Sequence, residues 1–288
     1  MILLLLGLSI VLSTGRALFS KKLSYIRFGS NSFFRYQSIT FLFGGCALFI
    51  FGNITFDGIS FSTIIYAVVY GLLLICAQWF YTAALSTGNT ALCSTVYSMG
   101  FIIPTLSGAF FWSEPFSTLD FLGVMCAIAA ILFSGNKPKN KTEISHNRYF
   151  IPLTVAMLAS GGLGVVQKLQ QNSPYANEKS LFLLIAFLLA SAISVLASSA
   201  AGKKQRPAFS KRTVVIAACI GLFFGCCNLL NTILAGALDS KIFFPTLNIG
   251  IILTTLLCSV VFYKEKIKRN DLFVLLLGSA SILLLNIR

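Results

Sequence analysis

Charge is what this sequence has least of. Only 10% of its 288 residues are charged, 57% are hydrophobic, and the mean hydropathy is +0.86. A soluble domain carries roughly 25% charged residues, so this chain has too little polar surface to wrap a water-soluble core. The same composition excludes intrinsic disorder and a small disulfide scaffold. Acids are scarcer still: there are eight, and none falls in the middle of an apolar run. His146 is the one histidine. With no Walker lysine loop, no HExxH and no nucleophile with a histidine partner, no enzyme pattern is present, and no cofactor is expected. The eight cysteines (Cys46, Cys76, Cys93, Cys126, Cys219, Cys226, Cys227, Cys258) all sit inside apolar runs. None has the CxxC-with-histidine spacing of a metal site, and they read as small apolar fillers between helices.

What the chain has in abundance is long apolar runs. A helix needs about 20 apolar residues to cross the hydrocarbon, and ten runs approach that length: 2–20, 33–51, 63–85, 92–112, 118–135, 150–171, 181–201, 213–236, 243–262 and 272–287. They are continuously apolar, whereas a membrane barrel alternates in segments of about 10 residues. Met1 to Thr14 lacks a basic leader, and Arg16, Lys21 and Lys22 follow the apolar stretch. A secretory signal has the opposite order, so the segment reads as a retained first helix.

The longest polar link, Asn136 to Arg148, falls almost at the centre of the chain and contains His146. It divides the sequence into a first five-helix half (1–135), a linker (136–148) and a second half (149–288). The halves resemble each other. Sliding the chain by 150 sets Thr63 on Thr213, Ala67 on Ala217, Gly71 on Gly221, Cys76 on Cys226 and Thr82 on Thr232. Sliding by 151 sets Glu114 on Glu265 and Asp120 on Asp271, and sliding by 147 sets Ser13 on Ser160, Gly15 on Gly162 and Lys21 on Lys168. Five helices per half reverse the chain, so the repeats must be inverted, a recurrent plan of secondary transporters with the substrate near mid-membrane at the repeat interface. The fold class expected is all-α integral membrane, ten transmembrane helices as two inverted five-helix repeats.

Lys and Arg outnumber Asp and Glu by 22 to 8. The excess lies in short links, as topogenic charge does, and there is no aromatic-interleaved basic patch for nucleic acid. Sixteen basic residues fall in or beside the odd-numbered links and three (Lys168, Lys179, Lys241) beside the even-numbered ones. The odd links are therefore expected in the cytoplasm and both termini outside, in a multi-pass protein of the cell membrane.

Polar residues within the runs are the candidate substrate-binding groups. Gln78 and Tyr81 lie three apart, on one helix face, and the slide by 150 places Asn228 and Asn231 at the matching positions. They read either as the lining of a central cavity or as interhelical glue. Ser13, Thr14 and Arg16 lie in the first helix. Arg16 reads either as a partner for an anionic substrate group or as a snorkelling cation beside Lys21 and Lys22. Tyr97 and Ser98 come from the fourth helix, with Pro104 near its middle; Asn248 comes from the ninth, with Pro245 near its start. Glu114, Glu265, Asp120 and Asp271 stand at helix ends and read as interfacial caps. With no mid-helix carboxylate, the chain lacks the usual proton or sodium relay, which points to exchange or facilitated flux.

On these residues the chain resembles the drug/metabolite transporter superfamily, in its ten-helix EamA-like members. The resemblance rests on the two five-helix halves, on the small-residue stretches ending in lysine (Ser13 to Lys21, Ser160 to Lys168), and on a glutamate closing helices 4 and 9 (Phe111-Trp112-Ser113-Glu114 and Phe262-Tyr263-Lys264-Glu265). It implies an inverted-repeat basket with a cavity lined by helices 1, 3, 4, 6, 8 and 9, moving small metabolites, amino acids, sugars or drugs. Ser113 and Lys264 replace the glycine usual before the closing glutamate, and a tryptophan common in helix 1 is missing. The family is often drawn with both termini inside. The function expected is a secondary transporter moving a small polar metabolite across the cytoplasmic membrane by alternating access, with that solute and membrane lipid as partners. The alternatives are a flippase for a lipid-linked substrate, with Arg16, Lys21 and Lys22 as its headgroup site, and a non-transporting structural or receptor protein.

Overall fold

The computed structural model describes residues 1–24, 30–54, 58–87, 96–135, 146–200, 210–263 and 269–286. Among them the chain is all-helical, without a strand. Its ten principal helices are α1 (Ile2–Ser24), α2 (Ser30–Phe51), α3 (Phe61–Thr87), α4 (Ile102–Trp112), α5 (Thr118–Gly135), α6 (His146–Gln171), α7 (Lys179–Ala200), α8 (Lys211–Ala237), α9 (Ser240–Tyr263) and α10 (Arg269–Asn286). Seven are long and apolar enough to cross a membrane, while the segments Val96–Trp112, Thr118–Phe133 and Leu272–Leu285 are apolar but shorter.

The fourth helical segment is described from Val96 to Trp112, and a 3-10 turn (Met99–Phe101) within it leads into α4. Pro104 stands near the middle of that segment, as expected, in the first turn after the change of pitch. One expectation needs correction. His146 is not in a link, because α6 begins there. A first helical turn leaves its N–H groups to solvent, so polar residues are tolerated in it. The rest of the central link, Glu265, and the side chains of Lys21, Lys22 and Asp271 lie outside the described residues.

The chain forms two compact units, and each draws on both halves of the sequence. The first comprises Met1–Ile75 and Leu169–Leu234, the second Cys76–Lys168 and Ala235–Arg288. In the first unit α2 packs along α7. Ser191 Oγ donates to Ser38 O at 3.0 Å, and Ser180 Oγ donates to Gly52 O. The core is a triangle of rings from α2, α7 and α8: Phe41–Phe187 at 6.0 Å, Phe187–Phe224 at 5.2 Å and Phe41–Phe224 at 6.2 Å. Close backbone approach makes room for it. A Cβ on Gly221 would run into Thr40 O, and one on Gly225 into Gly44 O, so Gly221 and Gly225, four apart, form a small-residue seam on α2. Gly71 of α3 similarly faces Ala186 O of α7, which a Cβ would approach to 2.9 Å.

In the second unit α9 packs on α4, α5 and α10, and α5 on α10. Ser281 Oγ donates to Gly123 O at 2.8 Å, and Phe133 stacks on Phe273 at 5.4 Å. Gly164 of α6 lies against Phe244 and Pro104, and Gly161 against Gly100 O and Ile103.

Candidate functional site

In the first unit α1 and α8 present matching polar faces. Ser9, Ser13 and Arg16 are separated by four and three residues and share one face of α1. Asn231, Cys227 and Phe224 descend α8 by the same steps. Ser9 Oγ donates to Asn231 Oδ1 at 2.5 Å, Ser13 Oγ to Cys227 Sγ at 3.4 Å, and the Arg16 guanidinium lies 3.8 Å from the centre of the Phe224 ring. Three rungs in constant antiparallel register thus join the polar stripe of α1 to an amide, a thiol and a ring of α8. Phe19 continues it by stacking on Phe223 at 5.7 Å, and Gly15 lies beside that ring, where a Cβ would make ordinary contact at 3.4 Å.

Asn228 turns to a different neighbour. Tyr70 of α3, 1% exposed, donates its hydroxyl to Asn228 Oδ1, while Asn228 Nδ2 donates to Phe224 O of its own helix at 2.8 Å. Thr232 Oγ1 donates to Asn228 O at 2.8 Å. The Tyr70 bond joins α3 to α8, and the other two lie within α8. Thr14 is buried on α1.

In the second unit Tyr81 and Tyr97 meet ring to ring at 4.5 Å, and Tyr81 packs with Val96 against Ala84 and Leu153. Gln78, one turn before Tyr81, is half-buried, and its carbonyl accepts the Thr82 hydroxyl at 2.8 Å. Ser98 stands just before the 3-10 turn and makes no side-chain cap bond there. Asn248 Nδ2 donates back to Phe244 O at 2.9 Å. Of the ten expected residues, five fall in each unit. Ser13, Arg16 and Asn231 share the α1–α8 ladder, and Tyr81 meets Tyr97.

The same unit holds a charged knot. Lys168 Nζ lies 2.8 Å from Glu114 Oε1, with the side chains 7% and 9% exposed, and donates to Leu238 O at 2.9 Å. Glu114 in turn accepts Ser240 N at 2.7 Å and Ser240 Oγ at 3.2 Å, where α9 begins. Beside it Asp120 Oδ2 accepts Ser117 N at 2.7 Å while Ser117 Oγ accepts Asp120 N at 3.2 Å, a capping box that starts α5. Lys241 pairs with Asp120 at 2.7 Å. Glu114 and Asp120 therefore do cap helices, as their positions suggested, but both do so while buried and paired with a lysine.

Sequence reasoning missed Ser9, Tyr70, Phe224 and Cys227. The 9, 13, 16 spacing was a usable signal for Ser9. Cys227 is not merely a filler, since it accepts a hydroxyl. Nothing in the sequence distinguishes Phe224 from the other 26 phenylalanines.

No family model and no curated protein matches the chain. A protein of known crystal structure shares the fold, with a TM-score of 0.79 over 98% of this chain and 95% of the other, at 16% identity. That likeness concerns the fold alone.

Proposed function

We propose that the chain is a secondary transporter that moves a small polar metabolite across the cell membrane by alternating access, on ten spans arranged as two inverted five-helix repeats. The observation that carries this reading is the α1–α8 ladder, in which hydroxyl, amide, thiol and guanidinium groups lie along helices that are otherwise apolar. Polar groups at such depth are costly in lipid and are retained where they serve a partner or a wet pathway. The duplication has its own support. The pairs α2–α7, α4–α9 and α5–α10 join helices that hold equivalent places in the two halves. Gly71 presses α3 on α7, and its sequence mate Gly221 presses α8 on α2, as an exchange of the halves requires.

The test is flux into proteoliposomes from a broad panel of amino acids, sugars and organic acids. The expected result is exchange of one solute class, cut about tenfold or more by Asn231→Leu with the melting temperature little changed, as for the loss of one strong hydrogen bond. Folded protein that exchanges nothing in the panel would overturn the reading.

A further inference from the structure

Arg16 is a cation for which its unit supplies almost no acid. The first unit contains two carboxylates, Asp57 and Glu178. Asp57 lies outside the described residues, and Glu178 accepts Ser60 N and Oγ at the start of α3, at 3.1 and 3.0 Å. Among the described residues the ion pairs are those of Lys168 and Lys241, and Arg16 has none.

Nor does the guanidinium escape to an interface. Arg16 is three residues past the centre of α1, which runs from 2 to 24, and Phe224 is the central residue of α8, 13 from each end (211 and 237). Snorkelling draws a charge toward the helix end, whereas this one stacks at mid-helix. The guanidinium carbon sits over the ring face, and a guanidinium carries five N–H donors in the fork that matches a carboxylate or phosphate. The neighbours are of the kind an anion uses: the Ser13 hydroxyl, one turn away, is spent on a thiol, a weak acceptor that an oxyanion outcompetes.

We infer that Arg16, seated on Phe224 beside Ser13, receives the oxyanion of a soluble ligand, a carboxylate or a phosphate. If the transporter reading holds, on which this deepening rests, that oxyanion belongs to the carried solute. The fork clamps it while the ring holds the cation in place without neutralising it.

Binding and flux separate the two statements. Purified full-length protein is melted in a zwitterionic detergent with matched probes: succinate against succinamide, and glucose 6-phosphate against glucose. The wild type needs no variant to be informative. At least one anion raises the melting temperature, and its neutral counterpart does not. Arg16→Gln abolishes the shift, and Arg16→Lys, a cation without the fork, keeps part of it. In phosphatidylcholine vesicles the effective anion is carried, and Arg16→Gln lowers its flux by about tenfold or more, as expected for a charge-assisted hydrogen bond. Equal shifts from anion and neutral partner, or an anion shift that survives in Arg16→Gln, overturn the inference. So does stabilisation that depends on Arg16 but comes only from added phosphatidylglycerol, which assigns the site to a lipid headgroup. Neutral solutes carried without anion binding would sink the inference and leave the transporter. Anion binding lost in Arg16→Gln with no flux of any solute would sink the transporter and leave the site.

Discussion

Lys168 carries an ammonium into a place with almost no water, and one acid answers it. Its partner Glu114 is held by the backbone and hydroxyl of Ser240, so neither member can turn away to find solvent. Bringing both charges out of water costs several kcal/mol per ion, and the pair repays this only while both are present. Lys168→Met should therefore destabilise the protein by about 3–5 kcal/mol, because it strands a buried carboxylate. The double change Lys168→Met with Glu114→Gln should recover most of the loss: the amide oxygen still accepts from Ser240, and no unanswered charge remains. Reversible unfolding in mixed micelles reads both. A single variant as stable as wild type would mean that the pair is already wet.

At the scale of the element, the end of α4 shows a local conflict. Ser113 closes the helix in the left-handed conformation, with φ 50° and ψ 33°, and its N–H and that of Glu114 both reach Gly108 O. A side chain costs roughly 1–2 kcal/mol in that region, and glycine pays little. This is the position at which the resembled family has its glycine, so a departure noted in the sequence has a geometric meaning. Ser113→Gly should stabilise the protein by about 1 kcal/mol, read as a higher midpoint in the same unfolding experiment. No change would mean that the serine side chain repays its strain elsewhere. The helices themselves were legible in the sequence because apolar length dictates them; the observed α5 coincides with the expected run 118–135. Their ends were less so. The polar triplet at 146–148 belongs to α6, and the 3-10 turn before α4 has no sequence signature of its own. The site was legible by helix and not by partner. Ser13, Arg16 and Asn231 stand out as polar residues in apolar runs, but that they meet depends on the register between α1 and α8. That register is fixed by packing around Phe223 and Phe224, which the sequence does not mark among so many similar rings.

At the scale of the whole molecule, charge sets the threading. Insertion keeps Lys- and Arg-rich short links on the cytoplasmic side, and the sixteen-to-three split makes the preference steep. The family resemblance pulls the other way, with both termini inside, so one experiment decides between two rules. In a cysteine-free background, single cysteines at Lys203 and Lys266 should react with an impermeant maleimide only in inside-out vesicles. Cysteines at Ile59 and Asn172, both exposed positions in even-numbered links, should react in intact cells. Their agreement matters as much as their side. Positions 59 and 172 lie in links 2 and 6 and must share a face, and 203 and 266 must share the opposite one, if ten helices cross. This agreement does not depend on the three shorter segments: α8 and α9, which separate link 7 from link 9, are both long and apolar enough to span, and α4 and α5 drop out as a pair between links 2 and 6. Labelling of position 266 from outside with position 203 protected would therefore mean that α8 and α9 do not both cross. Labelling of both from outside would keep an even count of crossings between them and reverse the threading, which would move Arg16 from the inner to the outer part of its helix without changing the ring it sits on.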